Sequence, residues 1–244
     1  MARERDNTGV TLQQCTALEQ EVRTSIKLIE AGLGQLQRIT GANAFYHLPM
    51  LTLASGFERL MKTIICLYTF RETGQFPSRS AFPRGVRGHD LVWLLDKITS
   101  KCFDGEYIKG RQAASEDIGY LCNDVQVREL VKVLSDFGQS ARYYNLNVVL
   151  GENTTVLSPH RQWDRVERTV LEEDADWAHQ LMAADLDELY SRITTKLIIK
   201  LERLARALVR LFTIGGLGPE AKQYTAVIAP FLFLRDDDLG KRKY

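Results

Sequence analysis

The segment 51–98 decides the fold: LTLASGFERLMKTIICLYTF at 51–70, RETGQFPSRSAFPRGVRG at 71–88, then GHDLVWLLDKI from Gly88 to Ile98. Ala54, Phe57, Met61, Ile64 and Tyr68 recur at steps of three, four, three and four. That spacing puts them on one apolar stripe of a helix. The middle stretch contains Pro77, Pro83, Gly85 and Gly88, which sit badly inside a helix and predict a loop. A second helix then opens, with Asp90 as its N-cap and Leu91, Leu94, Leu95 and Ile98 facing inward.

The pattern extends in both directions. Residues 1–10 are expected to fray. From Thr11 to Thr40, Cys15, Leu18, Val22, Ile26, Ile29, Leu33 and Leu36 step by three or four, close to a heptad seam. Such a seam faces the core of a bundle or is shared with another subunit. Gly41 closes this helix, and Pro49 falls in the connection that follows. Beyond Ile98 the chain is polar and contains Asp104-Gly105, a turn signal for a small hairpin. From Val125 to about Tyr144 a further helix places Val127, Leu130, Val131, Leu134, Phe137 and Ala141 on one side. Its continuation, RYYNLNVVLGENTTVLSPH, is β-branched and holds Gly151. This predicts extended chain or a short hairpin.

No Gly or Pro interrupts Gln162 to Phe212, which reads as one very long helix or as two joined near Ala183-Ala184. Asp185-Leu-Asp-Glu188 has the spacing of a capping box and favours the break. The halves differ in charge. Residues 164–188 carry nine acids against Arg165 and Arg168, whereas residues 192–210 carry six bases against Glu202. Leu186, Tyr190, Ile193, Leu197, Leu201, Leu204, Leu208 and Leu211 form an apolar seam. Arg192, Lys196, Lys200, Arg203, Arg206 and Arg210 form a separate stripe, within about 120° of arc at roughly 100° per residue. Three readings compete: a solvated flank paired with acidic neighbours, a surface that tracks phosphates, or a seat for a partner's acidic helix. Gly215, Gly216, Gly218 and Pro219 stop the helix, and Pro230 makes YTAVIAPFLFL at 224–234 an edge strand or an extended packing segment.

The expected architecture is therefore all-α: an up-and-down helical bundle over 1–150, a long charged helical extension over 151–234 that packs on it and ends in the short extended segment, and a mobile tail at 235–244. The composition limits function. A net charge of +1 gives no global attraction to nucleic acid, so any such affinity must be local. The four cysteines, Cys15, Cys66, Cys102 and Cys122, form no CxxC pair, which argues against a zinc site. No His pairs at i, i+4 with another His or Cys, and no HExxH, P-loop, GxSxG or Rossmann fingerprint occurs; no metal and no cofactor is expected. The charged start MARERDNTG lacks the apolar core of a signal peptide. No apolar run approaches the ~20 residues of a membrane span, so a cytoplasmic protein is expected.

ASGFERLMKTIICLYTF, the variable loop, GHDLVWLLDKI and a later helix ending SARYYNLN resemble the HEPN superfamily (higher eukaryotes and prokaryotes nucleotide-binding domains). Its members place an acidic residue within a run of large apolars on one helix, then a His-Asp-Leu…Leu-Leu segment, then a helix ending near Arg-Tyr. The resemblance covers roughly residues 51–150. It implies a homodimeric all-α bundle. Many members are metal-independent endoribonucleases of toxin–antitoxin or defence systems; others are nucleotide-binding or interaction modules without catalysis. Active members carry an Arg, then four to six residues, then a His. The Arg steadies phosphate charge while the His moves a proton at the 2′-hydroxyl or the leaving oxygen.

This chain departs from that pattern. It reads Arg142-Tyr-Tyr-Asn-Leu-Asn147, with Asn147 where the His would stand, and Asn takes up no proton near neutral pH. A second match by spacing, Arg84-Gly-Val-Arg-Gly-His89, lies in the loop before the Asp90 helix. There His89-Asp90 is expected mainly to open the helix, with Arg84 and His89 as the weak catalytic alternative. Arg79, Arg84 and Arg87 lead into a helix N-terminus at Gly88-His89, which suits an anion. The first expectation is a HEPN-like dimeric module that binds nucleotide or RNA through Arg84, Arg87, Arg142 and Asn147, with the Arg192–Arg210 stripe as an accessory surface. The alternatives are an active endoribonuclease using His89, and a structural partner in protein assembly.

Overall fold

The computed structural model describes residues 11–103, 110–152, 157–173, 185–214 and 216–244. They form an all-α helical bundle, and the one β-type pairing among them is an isolated bridge between Thr40 and Asn43. The hairpin expected at Asp104-Gly105 and the junction expected at Ala183-Ala184 both lie outside the described residues.

Helix α1 (Leu12–Leu36) starts at a capping box. Gln14 N donates to Thr11 Oγ1 at 3.2 Å, and Thr11 N donates to Gln14 Oε1 at 2.9 Å. Its seam is buried from Val22 to Leu36, while Cys15 and Leu18 stay partly covered. Helix α2 (His47–Thr73) begins earlier than expected, because Pro49 lies inside its first turn, where a missing N–H costs nothing. Besides Ala54, Phe57, Met61 and Ile64, α2 also buries Leu53, Leu60, Ile65 and Leu67. It is the central helix of the bundle. Helix α1 runs antiparallel to it: Gly32 faces Leu53, Gly56 faces Ile29, and Glu21 meets Arg59.

Helix α3 (Leu91–Lys101) is capped by Asp90, which accepts from Trp93 N at 3.0 Å, and buries Leu91, Leu94, Leu95 and Ile98 as the spacing predicts. Helix α4 (Gln112–Asn123) arises in the polar stretch for which no helix was expected. Its inward side is Ala114, Asp117, Tyr120 and Leu121, a face whose polar member hides the period. Helix α5 (Val125–Gln139) is capped by Asp124 and ends before Tyr144.

The chain then makes a turn at Ala141–Tyr143 and a short helix α6 (Tyr144–Val149), not the predicted extended segment. Leu150 N closes onto Leu146 O at 2.9 Å, and Gly151 at φ +74° ends the turn. Six residues of one local helix turn tolerate β-branched side chains, whose propensity penalty is a few tenths of a kcal/mol each.

Helix α7 (Pro159–Leu171) carries Ser158 as N-cap, and α8 (Leu186–Ile214) starts behind Asp185 as a separate helix. Leu197, Leu201, Leu204, Leu208 and Leu211 of α8 join Phe57 and Leu60 of α2 in one hydrophobic cluster.

Two expectations about the C-terminal part are corrected. The 224–234 segment is not extended: it forms helix α9 (Thr225–Leu232) with Pro230 inside it. Burial of Ile228 and Phe231 decides this over the single hydrogen bond that Pro230 cannot make. The tail from residue 235 is not loose. Gly240 N donates to Glu202 Oε2 and the Tyr244 hydroxyl to Glu202 Oε1, each at 2.6 Å. Among the described residues no helix is long and apolar enough to cross a membrane.

Candidate functional site

One side of α2 carries polar residues at helical steps: Thr52, Ser55, Arg59, Lys62, Thr63 and Cys66. All of them, together with Glu58, line an open cavity of about 890 Å³. Leu18, Glu21 and Leu28 of α1 form a second wall, Pro77, Ser78, Arg79, Phe82 and His89 of the loop a third, and Gly138 and Arg142 close the end.

The loop holds its shape through local contacts. Phe82 is buried, and Lys97 Nζ donates to Ala81 O at 3.2 Å while lying 4.8 Å from the Trp93 ring centroid. Two short turns, Arg79–Ala81 and Gly85–His89, then present Arg79 and His89 to the cavity.

His89 is fixed by Glu58. Its Nδ1 lies 2.9 and 3.0 Å from the two carboxylate oxygens. A carboxylate only accepts, so Nδ1 carries the hydrogen. Glu58 also accepts from Lys62 Nζ at 2.6 Å, and Arg59 Nη1 donates to Glu21 at 2.7 and 2.9 Å. The wall thus contains four fixed cations (Arg59, Lys62, Arg79, Arg142) and two carboxylates (Glu21, Glu58). Two of the cations are matched. Arg79 and Arg142 face the cavity with no carboxylate partner among the described residues. Arg142 Nε is buried and has no hydrogen-bond partner, and its guanidinium carbon lies 5.0 Å from the Tyr143 ring centroid. The cavity wall therefore carries two more cations than carboxylates, with the His89 ring at its rim. The Cys66 thiol in the wall is pushed up to about 11 by burial, against the pull of Lys62 and Lys97; it stays protonated at neutral pH and is no nucleophile.

The sequence-derived residues fare unequally. Arg142 and His89 come together in this cavity. Arg84 and Arg87 are exposed and lie outside its wall. Asn147 is half-buried on α6 and also lies outside it. The expected anion seat at the helix N-terminus is already filled. Helix α3 begins at Leu91, not Gly88; Asp90 caps it, and Leu91 N donates to Ser135 Oγ at 2.9 Å.

The basic stripe on α8 is committed within the molecule. Arg192 pairs with Glu188 at 2.6 Å, Lys200 with Glu173 at 3.0 Å and Arg210 with Asp117 at 2.9 Å. Lys196 donates to Val170 O at 3.3 Å, Arg203 stacks 4.1 Å over Tyr120, and Arg206 is buried on Leu234 O and Asp236. These contacts favour the reading as a flank paired with its neighbours over a phosphate-tracking surface.

Glu58, Arg59 and Lys62 were missed in the sequence because the apolar stripe of α2 drew the reading. The polar residues on its other side were the available signal. Among the described residues, no group of three His, Cys, Asp or Glu side chains is placed to hold a metal ion. No protein-family model matches the chain, and neither a curated protein nor a solved structure matches it.

Proposed function

We propose that the chain is a HEPN-like helical module that binds the phosphate of a nucleotide or of RNA in the cavity between α1, α2 and the 77–89 loop. The observation that carries this reading is the pair Arg79 and Arg142, cations without a carboxylate in a wall where the other cations are matched. Charge-assisted hydrogen bonds to phosphate contribute about 1.5–3 kcal/mol each. The test is fluorescence anisotropy with a short labelled single-stranded RNA and with a labelled nucleotide. Arg79→Ala/Arg142→Ala should weaken binding more than tenfold. Arg84→Ala/Arg87→Ala, which lies off the cavity, should change it little. Equal binding by wild type and the Arg79/Arg142 variant would sink the reading.

A second reading, metal-independent endoribonuclease, is favoured by the Glu58–His89 contact. With Nδ1 donating to Glu58, Nε2 of the neutral ring would take the proton of a 2′-hydroxyl as its oxygen attacks the adjacent phosphorus; the bond from phosphorus to the 5′-oxygen breaks, the imidazolium returns the proton to that oxygen, and a 2′,3′-cyclic phosphate is left. Arg79 and Arg142 would carry the charge that builds on the phosphoryl oxygens. RNA cleavage in the presence of a chelator should then fall by about 10²–10⁴ in His89→Ala. No cleavage by the wild type, with binding kept, leaves the binding module alone. A homodimer and a place in a defence or toxin–antitoxin system follow from the same resemblance and belong to this proposal; a solution mass of twice 27.8 kDa would support the dimer.

A further inference from the structure

Arg142 stands in the wall of two cavities. The second has a volume of about 360 Å³ and is built differently from the first. Four rings contribute to it: Tyr46, His47, Tyr144 and His160. Asn145 adds an amide, and no carboxylate lines it. Three of the rings, Tyr46, His47 and His160, pack against neighbouring rings. Tyr46 stacks on His160 at 5.5 Å with 8° between planes, and on buried Trp163 at 6.0 Å with 14°. His47 meets Phe137 edge-on at 4.6 Å. The Asn145 side chain is exposed and makes no hydrogen bond among the described residues.

Resting on the phosphate-binding reading above, we infer that this second cavity is the base seat of the same site. A nucleobase lies among the rings of Tyr46, His47, Tyr144 and His160, and its sugar-phosphate passes Arg142 into the Glu58–His89 cavity. The volume is at the small end of the range for small-molecule sites and suits one flat ring system rather than a larger ligand. Every base has a π-face for aromatic neighbours, which makes such a seat tolerant of base identity. Asn145 offers two donors and one acceptor to a base edge. Arg142 lines both cavities, which places its guanidinium to bond a phosphate or sugar oxygen between them.

The test uses equilibrium titration of the full chain with adenosine 5′-monophosphate, cytidine 5′-monophosphate, ribose 5-phosphate, adenosine and an RNA trinucleotide. Both nucleotides should bind at least tenfold more tightly than ribose 5-phosphate. Asn145→Ala should remove at least threefold of that preference and leave ribose 5-phosphate unchanged, with an unchanged melting temperature showing that the fold is intact. Nucleotide and ribose 5-phosphate binding equally would overturn the base seat and leave the phosphate site standing, as would Asn145→Ala weakening both alike. Adenosine binding without ribose 5-phosphate would keep the base seat and overturn the phosphate site. Binding of neither overturns both. A trinucleotide that binds more tightly than either mononucleotide assigns the seat to RNA; the reverse order assigns it to free nucleotide. Either order supports the base seat, given the preference over ribose 5-phosphate.

Discussion

Glu167 shows how a single half-buried carboxylate makes stability depend on pH. Trp163, almost fully buried, donates its indole N–H to Glu167 Oε1 at 2.7 Å. Burial pushes the carboxyl up to about 7 from an ordinary 4.5; the Trp163 hydrogen bond pulls it down and neighbouring Asp164 pushes it further up. Between those two values the folded chain holds a proton that the unfolded chain has released. Stability therefore falls as pH rises through that window, because the native state binds more protons. Urea unfolding at pH 5 and pH 8 should show a steeper loss in wild type than in Glu167→Gln, which cannot titrate. Parallel losses in the two proteins would refute this. At the same scale, Asp90 and His89 were legible in the sequence because a cap and its helix are neighbours along the chain. The Glu58 that orients His89 lies 31 residues away, and no local pattern joins the two. Arg206 was misread for the same reason. Its place on a helical stripe is local information, whereas its hydrogen bond to Leu234 O crosses 28 residues.

The pairing of α1 with α2 depends on two small residues. A Cβ at Gly56 would come within 2.8 Å of Ile29 Cγ1 and 3.0 Å of Ile29 N, and one at Gly32 within 2.5 Å of Leu53 Cγ. The contact at Gly56 includes backbone, which cannot turn aside as a side chain can. Gly56→Ala should thus destabilise by about 1–3 kcal/mol through overpacking, although Ala is the better helix former. Gly119 on α4 is the internal control. An added Cβ there meets nothing within 4 Å, so Gly119→Ala should stabilise by roughly 0.5–1 kcal/mol. Chemical denaturation of both variants checks the pair; a stabilising Gly56→Ala would show that the two helices separate at no cost. Helices α1, α2, α3, α5 and α8 were legible because their apolar residues keep an unbroken 3.6-residue period. Helices α4, α6 and α9 were not. The inner face of α4 includes Asp117, α6 makes hardly more than one turn, and α9 contains Pro230. In α4 and α9 the core decides the structure and not local propensity. The polar stripe on α2 that lines the main cavity was on view in the sequence, but a helix buried on several sides shows its apolar residues first.

The charges on α8 and the course of the C-terminal segment explain each other. Glu202 is fully buried and Arg206 nearly so, an arrangement that costs stability unless each charge is met by a hydrogen bond. The last eleven residues meet both. Gly240 N and the Tyr244 hydroxyl donate to Glu202, and Leu234 O and Asp236 accept from Arg206. The same segment ties back to α1, where Gln37 Nε2 donates to Arg242 O at 2.6 Å and Tyr244 N donates to Gln37 Oε1 at 3.0 Å. A reading that treats Arg206 as a surface base must also leave the tail without work, so one error entails the other. Removing a single donor tests the whole clamp. Tyr244→Phe keeps the ring that stacks 6.3 Å from Phe231 but leaves one oxygen of Glu202 unmet. A hydrogen bond to a charged group contributes about 1.5–3 kcal/mol, so the melting temperature should fall by roughly 3–12 °C for a chain of this size. In a Glu202→Gln background the same change should cost clearly less, because the pair is coupled. An unchanged melting temperature in Tyr244→Phe would mean that the segment lies on α8 without stabilising it. Equal costs in both backgrounds would assign the loss to packing of the ring and not to the buried carboxylate.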